Sequence, residues 1–151
     1  MEDRCSVCGA EHTYVVLGST NQFGSPDLDL RPPQMARSTM GLWVHKCPEC
    51  GYVSCMVSDP TTVTREFLES EEYRTCGGIG FSSYLAARFY KDYLICLEEK
   101  KIREAFLAVL HAAWECDDEG DDMNAARCRV SLVRHANAAG YSSKKLSPKN
   151  L

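Results

Sequence analysis

Apolar positions change their period once along the chain. Residues 13–17, 42–46 and 52–56 are short runs rich in β-branched and aromatic side chains, and each predicts a brief strand. From residue 59 onward the apolar spacing becomes helical. Asp59-Pro60 reads as a cap followed by a first-turn proline, with Val63 and Phe67 on a helix that ends near Cys76-Gly77-Gly78. Ser82 or Ser83 caps a second helix carrying Leu85, Phe89, Tyr93, Cys96 and Leu97 inward. A third runs from about Lys101 with Ile102, Phe106, Leu110, Ala113 and Trp114 inward. After a break at 117–120, Asp121 or Asp122 opens a fourth, with Met123, Ala126, Val130 and Val133 on one face.

The helical region also matches itself. Val63-x-x-x-Phe67-Leu68 aligns with Ile102-x-x-x-Phe106-Leu107, and at the same offset Ala86-Ala87-Arg88 aligns with Ala125-Ala126-Arg127. That register implies two related αα-hairpins. Two repeats fall short of the three or so that a solenoid needs, so the hairpins either close into a four-helix layer or associate with a partner. The resulting expectation is an α+β chain: a small N-terminal β-sheet with a long insertion, then a four-helix body of two αα-hairpins. Its expected boundaries are 1–57 with the inserted loop at 18–41, then 58–140, then a flexible basic tail at 141–151 carrying Lys144, Lys145 and Lys149.

The insertion at 18–41 is long for a connection inside a small sheet, and loops of that length are functional or disordered. Phe23, Leu28, Leu30, Met35 and Met40 read as apolar anchors, and Pro26, Pro32 and Pro33 stiffen the path. Asp27, Asp29, Arg31 and Arg37 are its charged set, a candidate partner- or ligand-binding loop. The two aspartates could share a cation. Alternatively, Arg31 or Arg37 pairs with an aspartate and staples the loop to the helices. Further on, six acids crowd into residues 115–122 without the alternating spacing of a calcium loop, and they read as a solvated connection.

Composition sharpens this picture mainly through cysteine. The 151 residues are 44% hydrophobic and 25% charged, enough to fold, with a net charge of −4. Nine cysteines are an odd number, so they cannot all close into disulfides within the chain. With no N-terminal apolar leader and no membrane-length apolar run in the sequence, a reduced cytoplasmic setting is expected, where clustered cysteines hold metal. Cys5-Ser6-Val7-Cys8-Gly9 and Cys47-Pro48-Glu49-Cys50-Gly51 supply four thiolates in two tight turns. Four thiolates arranged tetrahedrally suit one Zn²⁺, and a closed sulfur shell makes such a site structural. An iron–sulfur cluster or a redox-active cysteine pair would use the same residue type. His12 and His45 lie near enough to replace a thiolate, or to serve as strand-packing residues.

Three stretches together carry a resemblance: the CxxCG and CPxCG pairs, the Phe23-Gly-Ser-Pro-Asp-Leu-Asp-Leu-Arg-Pro-Pro33 insertion, and the Ala112-Ala-Trp-x-x-Asp-Asp118 helix end. The chain resembles uncharacterised prokaryotic proteins, a domain-of-unknown-function family, that join an N-terminal zinc ribbon to a tetratricopeptide-like helical region. The resemblance implies a binding role and brings no defined activity. The expected function is thus a protein-interaction module or adaptor with one structural Zn²⁺, no catalysis of its own and an unidentified protein partner. A nucleic-acid-associated ribbon is the alternative, and a redox sensor or an enzyme using the 18–41 loop ranks below it. Charge disfavours nucleic acid: residues 1–56 hold four basic and six acidic side chains, and the zinc–tetrathiolate adds about −2.

Overall fold

Two antiparallel hairpins form the N-terminal head of the computed structural model, which describes residues 1–138. Strands β1 (Glu2–Arg4) and β2 (Glu11–Thr13) pair with Asp3 opposite His12, and β3 (His45–Lys46) and β4 (Val53–Ser54) pair with Lys46 opposite Val53. These are two separate two-stranded sheets, where the apolar runs predicted one sheet of three strands. The unforeseen strand, β1, is Glu-Asp-Arg and carries no apolar signal. Its pairing follows from the tight turn that joins it to β2. Residues 15–17 are apolar but exposed, and have no strand to pair with.

Between the hairpins the insertion contributes only one short helical turn, α1 (Gln34–Arg37), and a 3₁₀ turn, Met40–Leu42. Of its five expected anchors only Met40 is buried. Phe23, Leu28, Leu30 and Met35 stand exposed.

The body holds three long helices, not four. The segment predicted as the first helix stays extended to Thr64, because Glu99 ties it down: Thr61 Oγ1 and the Thr62 amide both donate to Glu99 Oε1, at 2.5 and 3.2 Å. Two single turns follow, α2 (Arg65–Glu69) and α3 (Glu71–Arg74). Ser70 separates them with an extended ψ of 148° while its side chain accepts the Tyr73 amide, so one residue ends the first turn and caps the second. The long elements are α4 (Tyr84–Glu98), α5 (Ile102–Asp118) and α6 (Asp122–Ala138), with α5 packed between the other two. Ser83 caps α4 as expected, accepting from Leu85 and Ala86. The expected pair of αα-hairpins is replaced by this three-helix layer.

α4 buries Phe89, Tyr93 and Cys96, and α5 buries Leu110, Ala113 and Trp114, in agreement with the spacing; Ile102 is exposed instead. α6 differs. Met123, Val130 and Val133 face solvent, and Asn124, Ala125 and Cys128 are buried. The helix is turned by one to two positions because polar contacts set its rotation. Asn124 Nδ2 donates to Gly80 O (3.0 Å) and Asp121 Oδ2 (2.7 Å), and His135 Nε2 meets the Tyr93 hydroxyl at 2.6 Å.

Head and helices share one hydrophobic cluster, running from Cys5 and Val44 through Tyr73 and Phe89 to Val109 and Cys128. The Tyr73 hydroxyl donates to Gly51 O at 2.6 Å and Arg88 to Val44 O at 3.3 Å, so both helix-side contacts end on the second hairpin. The expected tail at 141–151 lies outside the described residues. Among the described residues no helix is long and apolar enough to cross a membrane.

Candidate metal centre

Each CxxCG turn closes in the same way. Cys5 N donates to Ala10 O and Gly9 N to Cys5 O in the first; Cys47 N donates to Tyr52 O and Gly51 N to Cys47 O in the second, all at 2.8–3.0 Å. Gly9 and Gly51 sit at φ 74° and 78°, the left-handed conformation that a side chain would strain. Two matched turns therefore face their cysteines toward each other, and the amide of Ser6 bonds Val57 O to hold the first hairpin against the second.

The sulfurs form one compact group. Cys5 Sγ lies 3.7 Å from Cys50 Sγ and Cys8 Sγ 3.6 Å from Cys47 Sγ, and all four fall within 4.8 Å of one another. A tetrahedron with metal–sulfur bonds of about 2.3 Å has sulfur–sulfur edges of about 3.8 Å. The observed spacing fits a single ion. It is far longer than the ~2.05 Å of a disulfide. Four sulfurs this close leave no room for the several irons of a cluster.

The donors suit anionic sulfur as well. Amides of Val7 and Cys8 point at Cys5 Sγ, and the Ala10 amide lowers the Cys8 thiol pKa. Burial pushes Cys5 and Cys50 upward, and a cation held among the sulfurs would favour both thiolates. This is the only such group of His, Cys, Asp and Glu among the described residues. The cysteines fill four positions and leave none for water or substrate, so a bound ion here supplies structure.

His12 and His45 take no part in the group. Their rings flank Tyr14, at 6.4 and 5.5 Å, and make an aromatic cover across both hairpins. Tyr14 was not singled out by the sequence. Its hydroxyl is buried without a hydrogen-bond partner, and burial together with the Cys47 and Cys5 charges pushes its pKa up to about 12.

The charged residues of the insertion are brought together, but each aspartate meets a different cation. Arg37 holds Asp27 at 2.8 Å, and Arg129 of α6 holds Asp29 at 2.7 Å. Asp29 also accepts from Trp114 Nε1 at 3.0 Å, while Arg31, buried, pairs with Asp118. Arg129 reaches Asp117 at 2.6 Å in addition, so the acidic last turn of α5 is a docking point for the insertion and not merely a solvated connection.

Of the remaining cysteines, Cys55 is exposed and Cys76, Cys96, Cys116 and Cys128 are buried. Cys116 and Cys128 have no telling spacing along the chain, yet α5 and α6 set their thiols side by side, where sharing a proton raises the Cys116 pKa. His111, half-buried, packs against Trp43 (5.1 Å), Phe89 (5.3 Å) and Trp114 (5.1 Å), and burial lowers its pKa from 6.5 to about 4.

Between pH 6.5 and 4 the unfolded chain takes up a proton that folded His111 refuses. Its contribution is intact above 6.5 and lost as pH falls toward 4, about 2–3 kcal/mol by pH 4.5. Urea midpoints at pH 7.5 and 4.5 are expected to show a smaller acid loss in His111→Phe than in the natural chain; equal losses refute it.

In comparisons with known proteins, no family model, no curated protein and no solved structure matches the chain.

Proposed function

We propose that this chain is a non-catalytic interaction module, in which one structural Zn²⁺ held by Cys5, Cys8, Cys47 and Cys50 fixes a ribbon-like head and the 18–41 insertion engages a protein partner. The observation that carries the reading is the turn at 27–31. It is tightly closed, with Asp27 N donating to Arg31 O and Leu30 N to Asp27 O, both at 2.9 Å. Leu30 takes a left-handed φ of 61°, uncommon for a branched side chain and a mark of strain held by its surroundings. Ion pairs from Asp27, Asp29 and Arg31 hold that strained turn, while Leu28 at its apex is 108% exposed and Leu30 is 73% exposed. A rigid loop that displays two leucines to water has paid the ordering entropy before binding, which favours recognition.

Helix α6 supplies Arg129 to this turn and itself leaves Met123, Val130 and Val133 exposed. The pairing of the head's arginines argues against the nucleic-acid alternative. Arg4 lies against Glu11, Arg31 against Asp118 and Arg37 against Asp27, leaving little cationic surface to release counterions. The family resembled by the sequence, a zinc ribbon joined to a helical region, fits the same role, and a reducing compartment suits nine unpaired cysteines.

Leu28→Ser tests the reading. The side chain is fully exposed, so stability is expected to change by less than about 0.5 kcal/mol. Affinity capture from the host, after nuclease treatment, is expected to recover a protein with the natural chain and to lose it with Leu28→Ser. Recovery of nucleic acid in place of protein, or undiminished capture by the variant, overturns the proposal.

A further inference from the structure

We infer that the cleft between the head and helices α4 and α5 is a binding site for a small organic cation, an alkylammonium with an apolar body. The cleft encloses about 430 Å³, within the usual range for small-molecule sites. Its walls are aromatic, with Trp43 and Tyr52 contributed by the head and Phe89 and His111 by the helices. Trp43 and Phe89 both pack edge-on against His111, which fixes the wall.

Asp92, half-buried on α4, lines this apolar space. Among the described residues it has no hydrogen-bond or ion-pair partner, only the charges of Glu99 and Lys101 nearby. The cleft carries four carboxylates, Asp59, Asp92, Glu99 and Glu104, against one ammonium, Lys101, which is already 2.9 Å from Glu99. Aromatic faces and surplus negative charge together attract an organic cation. An anion is repelled, and a neutral apolar molecule would bury Asp92 unpaired at a cost. The carboxylates do not converge closely enough to form a metal-binding group.

The unpaired acid is itself a sign of use. Burial and Glu99 raise Asp92 from its ordinary 3.8 to about 7. The folded chain therefore keeps a proton that the unfolded chain sheds between those values, and stability from this group is lost as pH rises through that window. A charge that destabilises the fold at neutral pH, in a lined cavity, is the pattern of a functional group and not of a packing residue. The other groups around it are Tyr52, Cys55, Tyr73 and Cys96, which stay neutral, charged Glu99 and Lys101, and the carboxylates Asp59 and Glu104; His111 is neutral above about pH 5.

The probe is n-hexylammonium, titrated into the metal-loaded chain at pH 8 with Trp43 fluorescence and calorimetry as readouts. Expected is one saturable site below about 10 mM. Affinity is expected to fall about tenfold at pH 6, as Asp92 takes up its proton, and at least about tenfold in Asp92→Asn at pH 8. The isosteric anion hexanoate is expected not to bind. Asp92→Asn is also expected to melt a few degrees higher than the natural chain at pH 8 and not at pH 5. Should that variant fail to fold, exposed Glu104→Gln stands in, with an expected loss of roughly two- to threefold. Absence of saturation, equal binding of hexanoate, or unchanged affinity in the variants overturns the inference.

Discussion

Removing the metal, or replacing Cys47 with serine, is expected to unfold the N-terminal head and to cost the chain more stability than any other single change. Hairpins of two- and three-residue strands are too short to stand alone in water. What holds them is the sulfur group at their turns. Structural zinc sites of this kind carry apparent binding free energies of about 10–16 kcal/mol near neutral pH, and that binding free energy is folding free energy. The loss would not stop at the head. Val44, Tyr52, Val53 and Val57 belong to the same buried cluster as Phe89 and Val109, and the Tyr73 hydroxyl bonds the carbonyl of Gly51, the glycine of the second turn. The expected result is one equivalent of zinc in the natural chain and substoichiometric zinc in Cys47→Ser. Circular dichroism is expected to show a lowered, broadened melt for both that variant and the chelated chain. Cys55→Ser, at an exposed thiol outside the group, is expected to stay within about 0.5 kcal/mol. A metal-free chain with an unchanged melt would remove the metal from the account.

The parts legible in the sequence are those written in short-range spacing. Each CxxCG turn is encoded in five consecutive residues, so the cysteines, their glycines and the single-ion geometry could be read directly. The cores of α4 and α5 were equally plain, because Phe89, Tyr93, Leu110 and Trp114 repeat at helical intervals and all go inward. β1 was invisible because a three-residue polar strand is held by its turn and not by burial. The first predicted helix failed on a competition that lies far off in the chain: Glu99 takes the Thr61 hydroxyl and the Thr62 amide, and keeps that segment extended. α6 misled for a related reason. Its apolar stripe is genuine but faces water, and Asn124 and His135 decide which side goes in. The insertion's charges fit either a shared cation or a staple; the arginines it meets include one a hundred residues away, which no local pattern encodes.

The second large effect lies where those distant contacts converge. Trp114→Ala is expected to cost about 3–5 kcal/mol and to release the 27–31 turn, whereas Trp114→Phe is expected to cost about 1–2 kcal/mol. Trp114 is 4% exposed, packs on His111, and donates its Nε1 hydrogen to Asp29 at 3.0 Å, so it joins the core to the strained turn. Alanine removes both the buried ring and the bond. Phenylalanine retains most of the ring and removes only the donor, leaving Asp29 with Arg129. The two changes should therefore differ in stability yet agree in loosening the turn, with the larger effect in alanine. Urea denaturation supplies the first quantity, and amide hydrogen exchange across residues 27–31 the second. Equal stability costs would mean that the indole bond, not packing, carries the residue. Unchanged exchange in both variants would mean that Arg31–Asp118 and Arg37–Asp27 hold the turn without help from the core. Faster exchange in Trp114→Phe alongside an intact fold would separate the two jobs, and would make the presentation of Leu28 a property that the helical core controls.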